Sequence, residues 1–333
     1  MGQSPDSSSY NNNCIGLPLV QGNADMCERI ATPQRYTSQP TKICEAGSII
    51  LSVRAPVGTV GKTFQKICLG RGVCGITSKN IEFMYQYLLN NENSWRHIEQ
   101  GGTFTAINSD DIKSFPIILP SLPEQKKIAD FLSLIDQRIE KQRQLVENLK
   151  KYKRGLLSVI FDKIYSNSTL TLGEICNITT GKLDANAMVV GGKYRFYTCA
   201  REYFEIDTYA FDTDALLISG NGANVGYIHH YCGKFNAYQR TYVLDRFQEN
   251  IMYIYYYLQA NLHPRIEAEK KAGNTPYIVL STLSDMLIKL PTKEMQDKIA
   301  KIFAILDKKI TTENDVLERL NTQKQGLLQQ MFI

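Results

Sequence analysis

The amino-acid sequence predicts an α+β architecture: two globular α/β domains separated by a long two-helix antiparallel coiled coil, with pseudo-twofold symmetry. Three observations lead there. First, the chain repeats itself. Gln125, Lys127, Ile128, Ala129, Asp136 and Ile139 return as Gln296, Lys298, Ile299, Ala300, Asp307 and Ile310, each 171 residues later. The offset holds without a gap through Glu147/Glu318, Leu149/Leu320, Lys153/Lys324, Gly155-Leu156-Leu157/Gly326-Leu327-Leu328 and Phe161/Phe332. A period this long suits two copies of a domain plus a helix and is too long for a solenoid. Second, Glu124 to Phe161 contains no proline and one glycine, with apolar residues at 128, 132, 135, 139, 146, 149, 156 and 160. Steps of four and three make a heptad seam. Third, the stretches ahead of both helices also repeat: Ile107/Ile278, Ile117/Ile288, Leu119/Leu290, Pro120/Pro291 and Gly102/Gly273 keep the offset.

In chain order, residues 1–120 form the first globular domain, 121–165 the first spacer helix, 166–290 the second globular domain and 291–333 the second spacer helix. Gly47-Ser48-Ile49-Ile50-Leu51-Ser52 and Asp214-Ala215-Leu216-Leu217-Ile218-Ser219 read as equivalent buried strands. Each runs into a glycine-rich loop, 54–58 in one copy and 220–226 in the other. Helices are expected near 80–96 and 248–262. The second copy opens with a strand-like entry, Thr171 to Thr179, leading to Thr180-Gly181-Lys182. The first begins at Met1-Gly2-Gln3, already level with Gly181, so its entry segment is expected to be missing.

The first long helix starts at a capping box, Ser121-Leu122-Pro123-Glu124, and the second at Thr292 with Glu294 in its first turn. Each is expected to be about 57 Å long at 1.5 Å per residue. The second seam repeats even the polar positions of the first: Gln142 and Lys153 return as Glu313 and Lys324. Setting Gln142 opposite Glu313, because unpaired buried polar groups are costly, fixes an antiparallel register. It places Ile128 near Leu327, Ile135 near Leu320, Leu149 near Leu306 and Leu156 near Ile299.

Composition bounds the function. The chain has 333 residues, 43% hydrophobic, with a net charge of +5. That mild basic balance is compatible with a nucleic-acid partner. No membrane-length apolar run and no signal sequence is present, so the chain is expected in the cytoplasm, with its eight cysteines as free thiols. Gly58-Thr59-Val60-Gly61-Lys62-Thr63 imitates a phosphate loop, but Pro56 stands where a glycine is needed and a strand follows instead of a helix. His229, His230 and Cys232 lack a fourth ligand at metal spacing. No Asn/Asp-Pro-Pro-Tyr methyltransferase motif or paired catalytic carboxylate stands out, so the chain is expected not to be an enzyme.

Leu122-Pro123-Glu124-Gln125-Lys126-Lys127-Ile128-Ala129, the long helix behind it, Lys153-Arg154-Gly155-Leu156-Leu157, and the openings Gly2-Gln3-Ser4-Pro5 and Thr180-Gly181-Lys182 together resemble the specificity subunits of Type I restriction–modification systems. The resemblance spans essentially the whole chain. It implies a non-catalytic subunit whose two target-recognition domains each read half of a split double-stranded DNA sequence. It also implies that helices Glu124 to Phe161 and Met295 to Phe332 set the unread spacer and bind the modification (methyltransferase) subunits, with restriction subunits joining in the full complex. No cofactor belongs to this chain on that reading; S-adenosylmethionine and ATP belong to its partners. The competing expectation is a coiled-coil scaffold whose end domains bind only protein.

Candidate DNA contacts follow from chemistry: Arg and Lys suit guanine edges and phosphates, Asn and Gln suit adenine. They are Gln3, Ser4, Arg54 and Arg71 in the first domain, and Lys182, Asn221, Asn224 and Arg240 in the second, with Arg35, Arg201 and Asn274 behind them. Lys150-Lys151-Tyr152-Lys153-Arg154 is a basic run on the first spacer helix, expected to be solvated or partner-facing.

Overall fold

A computed structural model of the chain describes residues 1–98, 106–269 and 277–332. Gly102, Gly273 and Asn274 lie outside those residues. The helices among them are α1 (Ile81–Asn90), α2 (Glu92–Ile98), α3 (Ser109–Ser114), α4 (Leu122–Lys163), α5 (Leu172–Ile175), α6 (Ile251–Glu269), α7 (Leu280–Ser284) and α8 (Lys293–Met331). The chain divides into two compact units, Met1–Arg143 with Asp315–Ile333, and Gln144–Asn314. Both long helices are therefore divided between units. The first unit is completed by the end of the second repeat's helix, and the second unit by the end of the first repeat's helix.

The long helices start where the sequence places their caps. Ser121 N–H and Oγ both donate to Glu124 Oε2, and Met295 N–H donates to Thr292 Oγ1. Every expected seam position of α4 and α8 is buried or half-buried, the polar ones included.

The first unit holds two five-stranded sheets of short strands. In one, Leu17–Val20 lies between Tyr36–Thr37 and Ile67–Leu69. In the other, Ile49–Ser52 is flanked by antiparallel Val73–Ile76 and Val60–Lys62. Ile49, Leu51 and Val60 pack there against Met84, Leu88 and Trp95. The helix expected over 80–96 is instead two, α1 and α2, which meet at Asn91.

The second unit holds a six-stranded sheet with Phe211–Ser219 between Thr241–Asp245 and Ile228–Ala237. Its inner face, including Leu216, Ile218 and Leu244, packs on Tyr253, Tyr257 and Leu258 of α6. A separate pair joins Ser168–Thr171 to Leu287–Leu290. The entry segment is not one strand. After Ser168–Thr171, Leu172–Ile175 forms a helical turn before the strand Asn177–Thr180. The cause is a capping box: Thr171 N–H and Oγ1 both donate to Glu174.

In each unit the helix segments run antiparallel and fasten the globular part in the same way. In the first, Lys324 Nζ pairs with Asp136 Oδ1 at 2.5 Å, and Gln86 Nε2 of α1 donates to Asp136 Oδ2 at 2.7 Å. In the second, Lys153 Nζ pairs with Asp307 Oδ1 at 2.6 Å, and Tyr256 of α6 donates to Asp307 Oδ2 at 2.9 Å. A repeated phenylalanine adds an apolar anchor. Phe332 meets Phe83 and Tyr87 edge-on at 5.4 and 5.5 Å, and Phe161 meets Tyr253 and Tyr257 edge-on at 5.7 and 5.3 Å.

Leu156 and Ile299, neighbours in the expected register, share one apolar cluster in the second unit, with Leu306 packed against it. In the first unit, Ile128 and Phe332 both pack against the cluster of Phe83, Tyr87 and Ala129. The seam lysines each find a repeated aspartate, because a long side chain on a helix leans toward its N-terminus and reaches a group about a turn away.

Candidate nucleic-acid interface

The repeat places its loop residues at matching backbone positions. Gly2 and Gly181 open the two copies. A Cβ on Gly2 would stand 2.1 Å from Gly70 O, and one on Gly181 would stand 1.9 Å from Ala237 O. Only glycine allows the chain to pass so close to the neighbouring hairpin. The next residue is Gln3 in one copy and Lys182 in the other, both exposed.

The loop after the shared strand is fixed by three matching interactions. In the first unit Val53 N–H donates to Gly72 O, Ile107 N–H donates to Val53 O, and Arg54 bridges antiparallel to Ala106. In the second, Gly220 N–H donates to Arg240 O, Ile278 N–H donates to Gly220 O, and Asn221 bridges antiparallel to Tyr277. Arg54 and Asn221 thus occupy one backbone position, as do Gly72 and Arg240. Among the described residues, the structure gives neither the Arg54 nor the Asn221 side chain a hydrogen-bond or ion-pair partner.

Ser4, Arg54 and Arg71 line one concavity together with Tyr10 and Gln21. Ser4 Oγ accepts from Arg71 N–H at 3.2 Å, so the serine holds the hairpin and leaves the Arg71 guanidinium exposed. Gln21 Nε2 donates to the Tyr10 hydroxyl at 2.8 Å on the same wall. No sequence signal marked that pair. Arg35 is exposed elsewhere, its carbonyl accepting from Leu19 N–H.

In the second unit Lys182 runs beside the hairpin carrying Arg240, since Leu183 bridges to Tyr238. Asn224 is already engaged: its Nδ2 donates to Cys199 O at 3.1 Å, and its Oδ1 accepts from Arg201 Nε at 3.3 Å. It shapes its loop with both ends of the amide. Arg201 and Asn224 line a second concavity with Tyr227 and His263. Sequence reasoning missed Arg195, which lies 4.3 Å from the Tyr203 ring centroid and 4.5 Å from that of Tyr231. The alternation Tyr194-Arg195-Phe196-Tyr197 on a strand was the available signal.

The decoys resolve into structure. Val60–Lys62 is a strand, and Lys62 is held by Glu82 and the Tyr85 ring. His229 Nε2 faces Ala200 O and His230 Nε2 faces Asp214, on alternating positions of one strand. Burial lowers the pKa of His229. All eight cysteines are unpaired, and burial pushes the Cys74 thiol up to about 11 and Cys176 up to about 12. Among the described residues no helix is long and apolar enough to cross a membrane. In the basic run, Lys153 turns inward to Asp307 and Lys150 pairs with Glu147, while Lys151, Tyr152 and Arg154 are exposed.

The model of the Type I restriction modification DNA specificity domain matches the chain twice, over residues 4–150 and 167–322. The chain belongs to that family. It is 39% identical over 164 residues to the putative type I restriction enzyme MjaX specificity subunit of Methanocaldococcus jannaschii, covering 48% of this chain and 39% of that protein. It is 38% identical over 152 residues to the EcoDI specificity subunit of Escherichia coli, covering 46% of this chain and 34% of that one. The matches to those two relatives thus span well under half of their length. The solved Type I S subunit from M. genitalium covers the whole chain and 92% of its own at a TM-score of 0.62, with 20% identity. A chain from the structure titled for complex assembly and conformational transition of the type I R-M system covers 91% of this chain and 87% of its own, at 0.58 and 17%. Both likenesses show the specificity-subunit fold.

Proposed function

We propose that this chain is the non-catalytic DNA-reading subunit of a Type I restriction–modification complex. Each unit reads one half of a split duplex target, and α4 and α8 form the spacer and dock the modification subunits. The observation that carries the reading is the pairing of a conserved fastening with divergent loops: Asp136/Asp307, Lys324/Lys153 and Phe332/Phe161 are kept, while Gln3/Lys182, Arg54/Asn221 and Gly72/Arg240 differ at matching positions. A repeated scaffold with different presented side chains fits two readers of two different half-sites.

The helix surfaces support docking of two copies of one partner. Phe131 and Leu134 are exposed on α4, and their repeat mates Ile302 and Ile305 are exposed on α8. A Cβ at Gly155 or at its mate Gly326 would meet nothing within 4 Å. Glycine inside a helix costs roughly 0.5–1 kcal/mol against alanine, and here packing within the chain gives no return for it. A partner backbone approaching closely would.

The test is reconstitution. The purified chain alone should leave DNA unmodified. With its modification subunits and S-adenosylmethionine it should direct methylation at a split sequence, and its duplex affinity should fall steeply with salt. Methylation by the chain alone, or a complex that assembles but binds no duplex specifically, contradicts the reading; the latter favours a protein-binding scaffold.

A further inference from the structure

We infer that Arg54 and Asn221 are the matched base-reading side chains of the two units, Arg54 selecting a guanine in one half-site and Asn221 an adenine in the other. This rests on the DNA-reading function proposed above and assigns it to one backbone position. The position is defined by the same three main-chain interactions in both units, described above. It follows directly from the buried strands ending at Ser52 and Ser219, so a rigid sheet holds each side chain in place.

What varies is the chemistry presented. The exposed Arg54 guanidinium offers the donor fork that matches guanine O6 and N7, and the Asn221 amide offers the donor and acceptor that match adenine N6 and N7. Both are unspent among the described residues, in contrast to Asn224, whose amide is used at both ends by Cys199 and Arg201. Within one loop, then, one asparagine builds the surface and the other remains available to read. A fixed position with a variable donor set is what two readers on one scaffold require.

The experiment uses the full chain assembled with its modification subunits, challenged with randomised duplexes and sequenced after selection. Arg54→Asn should turn one guanine preference into adenine in one half-site, and Asn221→Arg should do the reverse in the other. Each change should be on the order of 10- to 100-fold, with the opposite half-site untouched. Arg54→Ala and Asn221→Ala cover the case in which an exchanged side chain does not fit or does not reach: each should relax one base position and keep the other half intact. Weaker binding with every base preference unchanged would make these residues phosphate contacts and overturn the inference. So would alanine variants that fold and assemble yet lose selection in both halves. A wild-type complex selecting no split sequence would instead remove the functional reading beneath it.

Discussion

The two units agree where they grip the helices and disagree where they face outward. In the first, Gln86 and Lys324 meet on Asp136; in the second, Tyr256 and Lys153 meet on Asp307. The ring anchors differ by tenths of an ångström. Away from the grip, the first unit has two sheets of short strands, and the second has one six-stranded sheet with strands of nine and ten residues. On the proposed function, the grip serves the common task and the sheets serve the individual one. A partner meeting both units must find the same surface twice, whereas two half-sites need not be alike.

The largest expected effect sharpens the comparison at the anchors. Phe161 is 2% exposed and packs against Tyr253, Tyr257 and Phe303. Phe161→Ala should destabilise the second unit by about 3–5 kcal/mol. Phe332 is only half-buried, so Phe332→Ala should cost the first unit less. Urea unfolding with hydrogen exchange assigned to each unit measures both. Equal losses would show that burial does not set what each anchor contributes.

Next in size are the ion pairs. The Lys153 and Lys324 side chains are 13% and 15% exposed, so removing either aspartate strands a largely desolvated ammonium. Asp307→Asn and Asp136→Asn should each cost about 1–3 kcal/mol in thermal or denaturant unfolding. The reversed pair Lys153→Asp with Asp307→Lys should recover part of the loss. A neutral single substitution would show that the ion pairs do not fasten the helices.

The duplication, the long helices, their caps and the seam were legible in the sequence, because period and capping chemistry are local. The partners of the seam lysines were not: Asp136 and Asp307 sit beside the seam, and only their meeting in space reveals each pair. Likewise, Thr171 and Glu174 spelled a capping box inside what read as a strand. Of the candidate site, Gly2/Gly181 and the glycine-rich loops were legible. The equivalence of Arg54 and Asn221 was not, since those loops no longer keep the 171 offset and only the bridges to Ala106 and Tyr277 restore the alignment.

The smallest expected effect concerns pH. Hydrogen bonds from Ser121 and Thr171 hold the carboxyls of Glu124 and Glu174 below their ordinary value of 4.5. A depressed carboxylate stabilises the fold above its unfolded pKa, and that contribution fades as pH falls through the folded value. Ser121→Ala and Thr171→Ala should therefore each flatten the loss of stability below about pH 4.5, one in each unit, as read by unfolding at stepped pH. Unchanged acid sensitivity in both would remove the caps from the account.

The central claim is that each unit reads its own half of a split target. The most direct measurement exchanges residues 166–290 for the same region of a relative with a different target, reconstitutes the complex, and sequences the methylated sites. The account predicts that one half of the recognised sequence changes and the other stays. Change in both halves, or in neither, would contradict it.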